Sequence, residues 1–155
     1  MGIHRGEQKI EIPAPPGECF AAITDYETFP DWQDAVLRTS VLDRHDDGLG
    51  RTVEVTADAK FREVTYRLRY EYDRPRRIRW DFVSGEGVQH IEGEYLLEPR
   101  GDGTLATYRL GIDPGVPVPG LVARRLNATV MKRSVEDLRD EVLRRRKATR
   151  RAERP

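Results

Sequence analysis

Cysteine occurs once, at Cys19, so no disulfide can close within the chain, and this usage fits a reducing compartment. Histidine occurs only at His4, His45 and His90, scattered and without a partner at metal-ligand spacing. No metal and no cofactor is therefore expected. No apolar run approaches the roughly 20 residues of a membrane span, and the amino terminus lacks the apolar region of a signal peptide. Net charge is absent too: 27 Lys and Arg balance 27 Asp and Glu, leaving no global field to draw DNA. A chain of 155 residues with these properties is expected to be a cytoplasmic, soluble single domain, large enough to bury one core.

Reactive motifs are equally sparse. Ser40, Ser84 and Ser134 sit in no nucleophile elbow, and Cys19 falls on the apolar side of a helix, where a thiol is inert. Gly48-Leu49-Gly50 joins two strands and opens no helix, so it is not a dinucleotide fingerprint. Asp43, Asp46 and Asp47 gather at a turn, where aspartates serve as solvated caps.

What is present is periodicity. Between Pro119 and about Arg146, Leu121, Ala128, Met131, Val135, Leu138 and Val142 fall three, four or seven apart, which predicts one apolar stripe on a long helix. The i,i+4 pairs Lys132 with Glu136, Arg133 with Asp137, Asp140 with Arg144 and Glu141 with Arg145 cover most of the opposite face. Such a helix is about 40 Å long and requires a broad surface to lie on. Beyond it, Arg144 to Pro155 carries seven basic residues against Glu153 alone. Residues 1–147 are thus expected to form the domain, and 148–155 a basic, disordered tail. RNA or ribosome contact through that tail is one alternative role.

The first half of the chain supplies the surface. Gln8 to Pro13 reads as a strand, and Ala14-Pro15-Pro16-Gly17 starts a helix that buries Cys19, Phe20 and Ile23. Asp25 is placed to cap a second short helix that Pro30 ends, with Trp32 just beyond. From residue 35 the period changes to two, predicting strands at 35–44, 51–60, 63–73, 77–84, 88–98 and 104–112, joined by turns too short for crossover helices. Alternation makes one face apolar (Val53, Val55, Ala57, Ala59; Val64, Tyr66, Leu68, Tyr70, Tyr72; Ile78, Trp80, Phe82; Ile91, Gly93, Tyr95, Leu97; Ala106, Tyr108, Leu110, Ile112). Arg67, Arg69, Arg79 and Arg109 fall on the other face, as does His90 unless a bulge near Gly87 or Gly93 turns it inward.

This order, with Ile12-Pro13-Ala14-Pro15-Pro16, Phe20-Ala21-Ala22-Ile23-Thr24-Asp25-Tyr26 and Phe29-Pro30-Asp31-Trp32, resembles the α+β helix-grip fold. In that fold a curved antiparallel sheet of about seven strands surrounds a long C-terminal helix. The chain is similar to the polyketide cyclase/dehydrase and lipid-transport family, within the superfamily of START domains and the birch pollen allergen and near the coenzyme Q-binding subgroup. The resemblance implies a cavity for an apolar ligand between sheet and helix.

A face that mixes small residues with tyrosines supports such a cavity, because each buried hydroxyl needs a partner that a ligand or water can supply. The residues expected to line it are Trp32, Val55, Ala57, Tyr66, Leu68, Tyr70, Trp80, Phe82, Ile91, Tyr95, Tyr108, Leu110, Ala128, Met131 and Val135. The expected function is binding of a hydrophobic or aromatic small molecule (lipid, quinone or polyketide-like) by a carrier or sensor. Polyketide cyclase or dehydratase chemistry is the alternative, with His90, Tyr66 and Tyr108 as its weak catalytic candidates, since the inward face otherwise offers few acid–base groups. The segment Asp113 to Gly120, rich in proline and glycine, is either a gate at the cavity mouth or a stiff connector.

Overall fold

The computed structural model describes residues 2–58 and 62–153. Seven strands form one antiparallel sheet: β1 (His4–Ile12), β2 (Val36–Arg44), β3 (Gly50–Asp58), β4 (Glu63–Asp73), β5 (Arg77–Glu86), β6 (His90–Arg100) and β7 (Gly103–Asp113). Two short helices, α1 (Pro16–Ile23) and α2 (Phe29–Trp32), follow β1, and a long helix, α3 (Gly120–Glu153), closes the chain. The spatial order is β1-β7-β6-β5-β4-β3-β2, a meander in which the first strand pairs with the last. The element order and the helix-grip architecture match those expected. Ala59, assigned to the apolar face, lies outside the described residues.

Alternation divides the sheet as elementary burial requires. The concave side holds Val53, Val55, Leu68, Tyr70, Ile78, Trp80, Ile91, Tyr95, Leu97, Ala106, Tyr108 and Leu110, all buried. The convex side is a lattice of opposite charges. Glu7, Arg109, Glu94 and Arg79 lie side by side across four strands, and Arg109 reaches Glu7 at 2.7 Å and Glu94 at 3.4 Å, while Arg77 adds a 2.8 Å contact to Glu94. Exposed pairs of this kind contribute little energy each, but they fix which face is wet. Gly93 makes the tight packing of the other face possible: a Cβ there would stand 2.6 Å from both the Trp80 ring and the Arg109 carbonyl oxygen, so only glycine lets the indole cross β6.

Of four local expectations, three are corrected and one, the outward register of His90, holds. Asp25 makes no side-chain cap; the next element is a single 3-10 turn, Tyr26–Thr28, and the Asp25 carboxylate instead meets Arg145 at 3.1 Å. His90 stays on the outer register beside Glu92, 3.7 Å away, because β6 is regular there and the bulge lies between β4 and β5 at Arg67/Leu68. The long helix does not stop near Arg146 but continues through the basic segment to Glu153, so the segment left as a disordered tail is helical that far. The run of strong helix formers Leu143 to Ala148, with no glycine or proline up to Glu153, accounts for this.

The fourth concerns the phase of the stripe. α3 buries Ala123, Asn127, Met131, Val135, Leu138, Glu141 and Val142, and leaves Leu121 and Ala128 exposed. The stripe is rotated in the first three turns because β1 has a notch at Gly6: a Cβ there would meet the Met131 sulfur at 2.7 Å and the Asn127 amide nitrogen at 3.2 Å. Asn127 and Met131 occupy the notch. A polar residue in the buried row is what the apolar pattern could not reveal.

Farther along, α3 is tied to the α1 corner by charge. Glu141, buried, accepts from Arg144 at 2.8 Å and from Arg145 at 2.7 Å, and Arg145 reaches on to Asp25 and Thr28, each at 3.1 Å. Hydrogen bonds from both arginines hold the Glu141 carboxyl below the usual range despite its burial. A lowered carboxylate stabilises the fold above the unfolded pKa of about 4.3, and that contribution is lost as pH falls through the folded value. Glu141→Gln is therefore expected to cost about 2 kcal/mol in urea unfolding at pH 7, with the difference from the parent shrinking below about pH 4.

Candidate functional site

Between the concave face of β3–β7 and one side of α3 lies a chamber of about 340 Å³. Its floor is aromatic. Tyr95 and Tyr108 stack with centroids 4.6 Å apart, and Trp80 lies tilted against Tyr70, Tyr95 and Tyr108 at 5.8 to 6.1 Å. Val55, Ala57, Tyr66, Leu68, Tyr70, Ile91, Leu110 and Ile112 complete the sheet wall, and Val130, Ser134 and Leu138 form the helix wall. Lining residues that are also exposed, Ala35, Asp58, Gly87 and Val130, mark the mouth, with Phe29, Trp32 and Pro114 around it.

Eleven of the fifteen residues expected to line a cavity do so: Trp32, Val55, Ala57, Tyr66, Leu68, Tyr70, Trp80, Ile91, Tyr95, Tyr108 and Leu110. Phe82, Ala128, Met131 and Val135 do not. Phe82 lies next to the bulge and packs near His90, at 5.9 Å between rings. Met131 and Val135 are buried in the row that faces away from the chamber, and Ala128 points to solvent. Pattern reasoning missed Ile23, Gln33, Val88, Ser134 and Leu138 as wall residues. For Ser134 the signal existed, since it lies four residues from both Val130 and Leu138; a serine on a helix face is ordinarily read as solvated.

The hydroxyls differ in what they already hold. The Tyr26 and Tyr72 hydroxyls are 2.5 Å apart, and Tyr72 donates to the Gly50 carbonyl at 2.6 Å, so both are satisfied. The Tyr108 hydroxyl lies near Ser134, whose own hydroxyl donates to the Val130 carbonyl at 2.9 Å. The hydroxyls of Tyr66, Tyr70 and Tyr95 have no protein partner among the described residues, yet they are not sealed from all access, since Asn127 Oδ1 is the sealed polar atom left without one. They are donors without acceptors, facing open space.

Burial raises the pKa of all six tyrosines, Tyr66 and Tyr72 to about 12. At neutral pH each is an uncharged hydrogen-bond donor and a poor base. Asp58 is the carboxylate of the lining, at the mouth. Asp137, raised by burial, accepts from the Asp34 amide at 3.3 Å and faces Arg133 rather than the chamber. No group of three or more His, Cys, Asp and Glu side chains disposed for a metal occurs among the described residues. Arg145 and Arg146 of the basic segment are engaged inside the molecule, Arg146 donating to the Pro13 carbonyl at 2.7 Å.

A curved antiparallel sheet gripping a long helix, with a chamber between them floored by aromatic rings and neutral hydroxyls, defines a helix-grip domain. The chain belongs to the family described as polyketide cyclase/dehydrase and lipid transport, whose profile matches residues 4–148. Among solved structures it is similar to a START superfamily protein from Mycobacterium smegmatis, with a TM-score of 0.85 at 20% identity over 91% of this chain and 98% of that one. It is also similar to the Zhui aromatase/cyclase from Streptomyces sp. R1128, with a TM-score of 0.75 at 18% identity over 92% and 95% of the two chains. A STAR-related lipid transfer protein from Xanthomonas axonopodis gives a TM-score of 0.71 at 19% identity over 89% and 85%. At these identities the likeness speaks for the fold. No curated protein sequence matches the chain. No helix among the described residues is long and apolar enough to cross a membrane.

The raised tyrosines give a sign-definite pH dependence. In the unfolded chain they ionise near pH 10, whereas in the folded protein they hold their protons longer, so stability falls as pH rises through about 10 to 12. Removing one such group weakens the effect. Tyr66→Phe is expected to lose about 1 kcal/mol less than the parent between about pH 9 and 11 in guanidinium unfolding.

Proposed function

We propose that the protein carries or senses a hydrophobic or aromatic small molecule, such as a lipid, a quinone or a polyketide-like compound, held in the chamber between sheet and α3. The observation that carries this is the set of Tyr66, Tyr70 and Tyr95 hydroxyls without a protein partner among the described residues, set in a largely apolar lining. Such donors orient a ligand oxygen, while burial of rings and aliphatic surface supplies the driving force. A volume of about 340 Å³ stands at the low end of small-molecule sites, which favours a compact ligand over a two-chain lipid.

Cyclase or dehydratase chemistry in the same space would need a base to take a proton and an acid to deliver one. His90, the expected acid–base candidate, stands on the outer face beside Glu92, and Tyr66 and Tyr108 are held neutral by burial. The lining therefore favours binding over catalysis. Phe29, Trp32 and Pro114 at the mouth support the gate reading of the loop after β7.

Native mass spectrometry of the purified protein, followed by organic extraction, is expected to find a co-purified apolar compound. In parallel, the neutral probe N-phenyl-1-naphthylamine at about 100 times its Kd should raise Tm by roughly 5–10 °C. Ala57→Phe, which puts a ring into the chamber, should fold and reduce that shift to near zero. No co-purified compound together with no Tm shift would contradict the proposal.

A further inference from the structure

Val122, Leu126, Val130, Ser134 and Leu138 recur every four residues along α3, so they form one ridge that winds slowly round the helix, turning about 40° at each step. The last three line the chamber. The first two carry the same ridge outward past the mouth, where Val122 and Leu126 are each 47% exposed. Leu121 on the first turn of the helix and Val116 in the loop before it are exposed as well. The remaining exposed large apolar side chains, Leu37, Leu42 and Val83, stand on β2 and β5, away from this cluster. Single apolar residues of that sort are ordinary; a clustered apolar edge beside a cavity mouth signals contact with something apolar.

Charge is sorted along the same segment. From Pro114 to Val135 there is no Asp or Glu, although Arg124, Arg125, Lys132 and Arg133 are present; the acids of α3 begin at Glu136. Arg133 is held by Asp34 and Asp137. Arg124, Arg125 and Lys132 have no ion-pair partner among the described residues. An exposed aliphatic row flanked by free cations and by no anion is complementary to a negatively charged lipid surface: the aliphatic groups enter the headgroup boundary and the cations meet lipid phosphates. A second copy of the chain fits less well, because a two-fold contact through this face would bring the same cations together.

We propose that the first three turns of α3 and the loop 114–119 dock the protein on an anionic lipid bilayer, with the chamber mouth turned toward the lipid. Docking is independent of what the chamber holds, so it stands or falls without a ligand in hand. Flotation of the full chain with vesicles tests it, comparing phosphatidylcholine alone with phosphatidylcholine containing phosphatidylglycerol. The protein should float with the anionic vesicles at about 0.1 M salt, stay behind with phosphatidylcholine alone, and be released at about 1 M salt.

The double variant Val122→Asp, Leu126→Asp alters exposed positions, so it should keep the parent Tm and lose at least about tenfold in vesicle binding. Arg124→Gln and Arg125→Gln should each weaken it about fivefold. The tail variant Lys147→Gln, Arg150→Gln, Arg151→Gln should float as the parent does. Absence of flotation with anionic vesicles would overturn the proposal, as would equal flotation with both compositions, retention by the aspartate variant, or loss caused by the tail variant alone. A dimer in solution that Leu126→Asp dissociates would also overturn it and assign the face to a second copy.

Discussion

Everything in this molecule depends on where α3 is allowed to touch the sheet. The helix is seated at two places: in the notch that Gly6 opens on β1, filled by Asn127 and Met131, and at the α1 corner, where Glu141 gathers Arg144 and Arg145. Between the two seats Val135 and Leu138 stay buried, while the rest of the concave face stands off from the helix across the chamber. Had the contact been continuous, the concave face would be a solid core. Because it is not, the wall made by Val130, Ser134 and Leu138 stands across a gap from Tyr66, Tyr70, Tyr95 and Tyr108. The chamber follows from the curvature of a twisted sheet meeting a straight helix.

The same geometry explains the chemistry of the lining. Strand alternation sends the arginines and glutamates of β4 to β7 to the convex side, where they pair with one another, and leaves rings and aliphatic groups inside. Away from Asp58 at the mouth, the polarity that remains is uncharged: the Gln33 amide, tyrosine hydroxyls whose pKa burial pushes up, and the Ser134 hydroxyl. The inner part of such a surface can donate hydrogen bonds without contributing a charge. That chemistry supports the proposed binding of an oxygen-bearing apolar molecule.

Much of this was legible in the sequence, for a physical reason. Period-two alternation with charged outward positions leaves one register in which both faces are satisfied, so the sheet wall could be assigned residue by residue, from Val55 to Leu110. The helix wall was harder. A stripe of apolar residues fixes the rotation of a helix only if the buried row is apolar, and here Asn127 sits in the buried row while Leu121 and Val122 do not. The resulting error moved the expected wall to Ala128 and Met131 instead of Val130 and Ser134. His90 illustrates a different limit: its direction depends on whether a bulge falls on β6 or on β4 and β5, and glycines on both sides of it allow either.

On the proposed reading, the Tyr66, Tyr70, Tyr95 and Tyr108 rings face a chamber able to accept an apolar molecule, while Tyr26 and Tyr72 belong to the packed core. Selective ¹³C labelling of tyrosine ring carbons, followed by NMR during titration with a neutral aromatic probe, separates the two sets directly. The account predicts saturable shifts in the first four signals with Tyr26 and Tyr72 little changed. Signals that stay fixed at all six positions, or that move only at Tyr26 and Tyr72, would contradict it.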